Sequence, residues 1–470
     1  MERMTGADAV FLGMETPSTP QHVGCVAVLE VGSQGVDIER LKRNVSRVLP
    51  LVPKFTRIVK QVPFGLDLPV WDNDTNFDID RHVRHIAVPP PGGREQVGNL
   101  IGELMSMQLD RRFPLWELWV IDGLVERRRA ATFLKYHHSL MDGKSGASLA
   151  EQLFQLGPDD EPAQAEPAPK LHTPSSLELL LRTPIRGVQS TWQTAEYAAA
   201  IARRTVATLR HRRRGGRMPA LLAPATVFNG AVGRRRQLAY SSVPLDDVKR
   251  IAKDQQVKVN DVIMTLVAGA ARSYLSGMGD LPAEPINAFI AVSTSVADAD
   301  GHGNSVASVP IPLPTNLADP RERLREVFDS TSHAKELLEA IRAHKIQSIG
   351  AVAPPVLLNL ASQALSRPDV LNRLPTPANL IVSNIPGPPI PLYQSGAKVL
   401  GLFAASVLLA NGALNITLMS YNGRIDFGLT VDPDIVPHAQ LLADAIPLAL
   451  TELLSCLGLG SMSALEDAWT

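Results

Sequence analysis

The stretch Tyr136-His137-His138-Ser139-Leu140-Met141-Asp142-Gly143 constrains this chain more than any other. Immediately upstream, Ala131–Tyr136 reads as a strand, and Gly146–Phe154 downstream reads as a helix start. The two histidines therefore stand where a strand runs out into a loop. Neighbouring side chains on a strand point to opposite faces, so only one of the pair can look into a given cleft.

That placement bears on the chemistry. A metal centre would want both histidines on one face with a third ligand nearby, which adjacent strand positions do not supply, so no metal is expected. Neutral histidine is the commonest general base near neutral pH, and a carboxylate at short range can fix its tautomer or hold the loop that carries it. A purely structural histidine pair beside a turn is the competing interpretation. Ser139 neighbours a histidine but lacks a Gly-x-Ser-x-Gly elbow, so a serine nucleophile is not expected.

A chain of 470 residues with 45% hydrophobic and 20% charged residues suggests more than one globular domain. The formal net charge of −1 implies no general attraction to nucleic acid. Cys25 and Cys456 read as buried free thiols, and Met1–Asp8 lacks an apolar secretory core, so a cytoplasmic protein without disulfides is expected. The charge-free run from Val399 to Gly423 is long enough to span a membrane, but Asn411-Gly412 interrupts it and Asn422-Gly423 ends it. Asn-Gly is a strong hairpin signal, so Val399–Ala410, Ala413–Tyr421 and Arg424–Val431 are expected to form a β-meander.

Elsewhere, strands are expected at His22–Val31, Glu117–Ile121, Arg129–His137, Leu238–Val243, Ile286–Val292, Ser305–Pro312 and Leu380–Ser383. Helices are expected at Ile38–Leu49, Arg94–Gln108, Ser175–Arg210, Leu245–Lys253, Val259–Leu275, Arg321–Glu339 and Pro437–Leu457. Gly157–Pro174, rich in Pro, Ala, Asp and Glu, reads as a linker. The expected organisation is a first αβ domain over residues 1–156, a linker with a helix and a basic segment over 157–226, and a second αβ domain over 227–470.

The H-H-x-x-x-D-G string resembles the active-site motif of the acyl-CoA-dependent acyltransferases built like chloramphenicol acetyltransferase, a superfamily that includes the condensation domains of nonribosomal peptide synthesis. Further strings resemble the bacterial wax ester synthase/diacylglycerol acyltransferases: Pro114-Leu115-Trp116, Asn260-Asp261 and Ser383-Asn384-Ile385-Pro386-Gly387-Pro388. Asp8–Leu12, Gln21–Gly24, Asn229-Gly230 with Arg234–Arg236, and Gly303-Asn304 with Leu313-Pro314 also match that pattern, in order, from about residue 4 to about residue 457.

The resemblance implies an α+β fold of two chloramphenicol acetyltransferase-like αβ domains with the active site at their junction. It implies His138 as the general base, His137 as its support, Asp142 as the acid that holds the loop, and Gly143 as the turn residue. It further implies direct acyl transfer from acyl-CoA, a substrate rather than a cofactor, to diacylglycerol or a long-chain fatty alcohol. Pro114, Leu115 and Trp116 would shape an acyl channel or anchor the core. Asn260 and Asp261 would serve the site or cap a helix, with either the Asn260 amide or a backbone N–H near Gly143 as donor to the thioester oxygen; Ser383 and Asn384 would wall the acceptor site or simply form a turn.

Oily substrates imply contact with a membrane or lipid-droplet surface through Ser348–Leu371, Pro437–Leu457 or the basic run Arg210–Arg217; core packing and a solvated linker are the alternatives. One departure stands out. Where many members have a strand ending in arginine, this chain has Ala291–Val296, so Asp142 would need another partner. A carrier-dependent condensation enzyme and a non-catalytic lipid-binding relative are the other classes the motif admits.

Overall fold

The computed structural model describes residues 2–33, 35–63, 66–125, 128–141, 152–165, 171–172, 175, 178–179, 222–293, 306–342, 377–461 and 468–469. The first half runs β1 (Glu2–Arg3), α1 (Gly6–Met14), β2 (His22–Glu30), α2 (Ile38–Val48), β3 (Arg57–Lys60), β4 (Val70–Asn73), α3 (Ile79–His82), β5 (Val83–Ala87), α4 (Arg94–Ser106), β6 (Trp116–Asp122) and β7 (Arg129–His137). The second half opens with β8 (Gln237–Pro244), α5 (Leu245–Asp254), α6 (Val259–Gly277), β9 (Ile286–Ser293), β10 (Val306–Leu313) and α7 (Pro320–Arg342). It continues with β11 (Leu380–Ile385), β12 (Tyr393–Gln394), β13 (Ala397–Ala405), β14 (Leu414–Tyr421), β15 (Arg424–Val431) and α8 (Ala439–Cys456).

Local chemistry accounts for the helix starts. Thr5 and Asp37 each turn a side-chain oxygen onto a backbone N–H of the first turn, of Asp8 in α1 and of Arg40 in α2. The strands build two six-stranded sheets, β12-β13-β2-β7-β6-β5 and β10-β9-β11-β14-β15-β8, beside a small β1-β4-β3 sheet. All of β7 from Ala130 to His137 is buried, as befits a strand covered on both faces.

The expected meander forms only in part. β14 and β15 pair antiparallel across Asn422-Gly423, whose φ angles of 41° and 81° suit a primed hairpin turn. β13 instead crosses to the first sheet and pairs with β2, Ala404 opposite Cys25. Its register shifts between Val399 and Gly401, and the displaced Leu402 N–H donates to Asp426 Oδ2 of β15 at 2.9 Å. Asp426 is fully buried, which pushes its carboxyl up; Arg424 and Ser242 hydrogen-bond its other oxygen. A β15 carboxylate thus ties the two sheets together, and a strand from the expected second domain completes the first sheet.

The halves also meet through α4, which lies on β8. A Cβ at Gly102 would stand 2.0 Å from Arg236 O, and one at Gly98 2.2 Å from Leu238 O, so only glycine lets the helix come this close. The described stretch 157–165 of the expected linker runs along α2. Arg40 donates to Pro158 O and Asp160 O, and Arg47 pairs with Glu161.

Helix α8 is long and apolar enough to cross a membrane, but Leu442, Ala443, Ile446, Leu450 and Leu453 are buried in the core shared with α6 and β8, so it is a core helix. Cys25 and Cys456 are free, as expected, but half-buried rather than buried. The expected helix within 175–210, the basic run 210–217 and the stretch 348–371 lie outside the described residues, apart from isolated positions near 175.

Candidate active site

Both histidines are fixed by the strands beside β7. The His137 N–H donates to Leu115 O, just before β6, at 2.9 Å, and the His138 N–H donates to Gln21 O, just before β2, at 2.8 Å. The chain then turns, with the Leu140 N–H on His137 O at 2.9 Å. As the alternation demands, the rings diverge. His137 is 1% exposed, whereas His138 is half-buried and stacks face to face on Phe11 of α1, centroids 4.1 Å apart and planes 8° apart.

The His137 tautomer follows from its neighbours. Its Nδ1 accepts the Ser139 backbone N–H at 3.1 Å and lies 2.7 Å from Ser139 Oγ. A backbone N–H can only donate, so the proton of the neutral ring is on Nε2. Burial pushes the imidazole down to about 3, against the pull of Glu15, so the ring stays neutral. Ser139 is fully buried against this ring.

Glu15 closes a buried ionic cluster that the sequence did not announce. Its Oε1 lies 3.1 Å from His22 Nε2 and 3.9 Å from His137 Nε2, and its Oε2 lies 2.7 Å from Arg111 Nη2. Burial raises this carboxyl, but the two adjacent imidazoles and Arg111 outweigh it and bring it down to about 2. Arg111 is the permanent cation, so the carboxylate stays ionised with both imidazoles neutral.

His22, Arg111 and the neighbouring Lys135 lash the end of α4, the segment after it and the end of α1 together. His22 Nδ1 faces Met105 O at 3.3 Å, Lys135 Nζ donates to Met107 O at 2.5 Å, and Arg111 Nη2 donates to Leu12 O at 2.9 Å. Burial lowers the Lys135 ammonium to about 8. Phe11, Gln21, His22 and Arg111 all fall in or beside strings noted above, yet nothing in their spacing shows that they converge. Glu15 looks like an ordinary polar residue closing a helix.

Other expected site residues are placed as follows. Pro114, Leu115 and Trp116 are buried core rather than an open wall: Trp116 is 1% exposed, donates Nε1–H to Phe55 O at 2.7 Å and stacks on His82 at 4.4 Å. Their link to the site is the Leu115 carbonyl that holds His137. Asp261 caps α6. It is 2% exposed, with Oδ2 accepting the Lys258 N–H at 2.9 Å and Oδ1 the Thr331 hydroxyl at 2.7 Å.

The Asn-Asp and Ser-Asn motifs meet, with Asn384 Nδ2 3.5 Å from Asn260 Oδ1; Asn384 is exposed, Asn260 and Ser383 half-buried. Behind them, a Cβ at Gly387 would stand 2.2 Å from Ser420 O, so the motif glycine lets the turn sit on β14. Asp142 and Gly143 lie outside the described residues, as does Thr294–Val296, so the question of a partner for Asp142 falls there too. Among the described residues, no group of three or more His, Cys, Asp or Glu side chains could hold a metal ion.

Residues 4–263 match the wax ester synthase/diacylglycerol acyltransferase catalytic domain, and residues 302–454 match the C-terminal domain of the same family. A candidate diacylglycerol O-acyltransferase of Mycobacterium tuberculosis is 35% identical over 465 residues, covering 97% of this chain and 91% of that protein. A second, of Mycobacterium bovis, is 33% identical over 98% of this chain and its own full length.

Among solved structures, the wax ester synthase/diacylglycerol acyltransferase from Marinobacter aquaeolei superposes with a TM-score of 0.69 at 25% identity, over 98% of this chain and 100% of that one. The first condensation domain of the calcium-dependent antibiotic synthetase shares the fold, with a TM-score of 0.58 at 15% identity, over 97% and 96% of the two chains. The fold is thus the two-sheet α+β architecture of the chloramphenicol acetyltransferase-like superfamily, and the chain belongs to the wax ester synthase/diacylglycerol acyltransferase family.

Proposed function

We propose that this protein transfers a long-chain acyl group from acyl-CoA to diacylglycerol, forming triacylglycerol, with His138 as general base. The observation that carries the reading is the pairing at the end of β7: a half-buried His138 ring positioned by Phe11, beside a buried neutral His137. His138 takes the acceptor hydroxyl proton as the oxygen attacks the thioester carbonyl. The tetrahedral intermediate collapses, the carbon–sulfur bond breaks, and the CoA thiolate leaves with the proton from His138. A neutral His137 does not oppose the positive charge that His138 acquires.

Asn260 is the proposed oxyanion donor, since its carbonyl faces Asn384 and its amide NH₂ is the donor side of the group. Diacylglycerol is preferred because the mycobacterial relatives carry that acceptor in their names. A fatty alcohol is the second acceptor, because the Marinobacter protein is named for both. We place the enzyme in the cytoplasm, peripheral on a membrane or lipid body from which it collects its acceptor. Flotation with diacylglycerol-containing liposomes tests this: a protein that stays entirely at the bottom of the gradient contradicts it.

The deciding assay is thiol release from palmitoyl-CoA with diacylglycerol, hexadecanol or no acceptor, for wild type and His138→Ala. Release that needs diacylglycerol and disappears in the variant supports the reading. Release only with hexadecanol makes the enzyme a wax ester synthase. No release with either acceptor moves the weight to a carrier-dependent or non-catalytic role.

A further inference from the structure

We propose that Glu15 is a positioning residue of the acyl-transfer site, setting the His-His pair through His137 and through the end of α1. This rests on the proposed role of His138 as base. Glu15 follows α1 directly, and Phe11, one turn earlier in the same helix, supplies the ring on which His138 stacks. The Glu15 carboxylate is 2% exposed and faces His137 Nε2, the nitrogen that must carry the proton because Nδ1 accepts the Ser139 N–H. One buried carboxylate therefore orients the neutral partner of the base and anchors the helix that holds the base's other face.

Among the described residues, the charged and titratable groups around it come from several elements: Arg111 from the segment after α4, His22 from β2, and His137 and Lys135 from β7; Arg111 bonds both Glu15 and the Leu12 carbonyl, fastening α1 at its end. The arrangement is built rather than incidental, because an ionised carboxylate at this depth is costly without such partners. Its negative charge near the pair favours the protonated form that His138 reaches during transfer. Removing that charge while Arg111 remains lowers the affinity of His138 for a proton.

Two measurements test this. In the wild-type protein, ¹⁵N shifts of labelled histidine should show His137 with a protonated Nε2 and a bare Nδ1, unchanged between about pH 5 and 8. A protonated Nδ1, or titration of His137 in that window, would overturn the proposal without any variant. In the thiol-release assay, Glu15→Gln should lower kcat by about tenfold or more, a share of the 10²–10⁴ that a positioned base contributes. The acid limb of its kcat/KM–pH profile should move to lower pH, and Glu15→Asp should recover part of both.

A merely structural Glu15 would lower activity without moving the limb, which also overturns the proposal. Should Glu15→Gln fail to fold, the wild-type shifts and Glu15→Asp decide alone. If wild type transfers through His138 but Glu15→Gln matches it in rate and pH profile, only this inference falls. If His138→Ala transfers normally, the reading beneath it falls first.

Discussion

Glu15 Oε1 and His137 Nε2 face one another at 3.9 Å, both sealed from solvent. A carboxylate held ionised and an imidazole held neutral, side by side in the interior, make this region responsive to acid. His138, the proposed base, stands on the adjacent, half-open side of the same strand end.

Stability should fall on acidification in two overlapping steps. His137 is depressed to about 3, so the unfolded chain takes up its proton first and stability is lost as pH falls from about 6.5 towards 3. Glu15 is depressed to about 2, so its contribution is complete above about 4.5 and is lost as pH falls through about 2. Urea midpoints across this range are the measurement. Glu15→Gln should flatten the lower step, and an unchanged slope would contradict the assignment.

His138→Ala should cut acyl transfer by about 10²–10⁴ while leaving the thermal midpoint within a few degrees of wild type. Its ring is only half-buried and its backbone tie to Gln21 O survives the substitution. Thiol release and calorimetry on the same preparation check both halves of the statement.

Phe11→Ala should slow turnover more than it weakens substrate binding, because it frees the His138 ring to leave its stacked position. The expected pattern is a kcat reduced several-fold with KM close to wild type. A change confined to KM would mean that Phe11 contacts substrate instead.

Trp116→Ala should cost about 3–5 kcal/mol of stability, since the indole is 1% exposed and leaves both a cavity and an unpaired Phe55 carbonyl. If Trp116 were a channel wall rather than core, denaturation would move little and acyl-chain selectivity would change.

Gly102→Ala should destabilise the fold by about 1–3 kcal/mol, because the new methyl meets Arg236 O at 2.0 Å and must push α4 off β8. Exposed helix positions gain from the same change, so a neutral or positive effect in chemical denaturation would refute the close approach.

Much of the local structure was legible in the chain. Arg129–His137, Arg424–Val431 and the start of Val259–Gly277 fall where periodicity and turn residues put them, because hydrophobic alternation and Asn-Gly hairpins act over a few residues. The meander failed at β13 for a physical reason. Its alternation shows that 397–405 is a strand but not which edge it joins, and the register shift filled by Asp426 depends on a residue of another sheet. Pro114-Leu115-Trp116 and Asp261 were legible as positions of interest, yet the motif could not say that the first holds His137 by a backbone carbonyl and the second caps a helix.

The sequence by itself determined the family resemblance, the order of most elements, and His137-His138 at a strand end with one ring turned from the other. Only the tertiary structure decided which ring is buried, which tautomer His137 holds, and that Glu15, His22 and Arg111 meet beneath it. Arg111 and His137 reach Glu15 from far along the chain, where desolvation and charge pairing act through space and leave no periodic trace; the tautomer rests on the nearby Ser139 N–H, whose direction the turn after β7 sets.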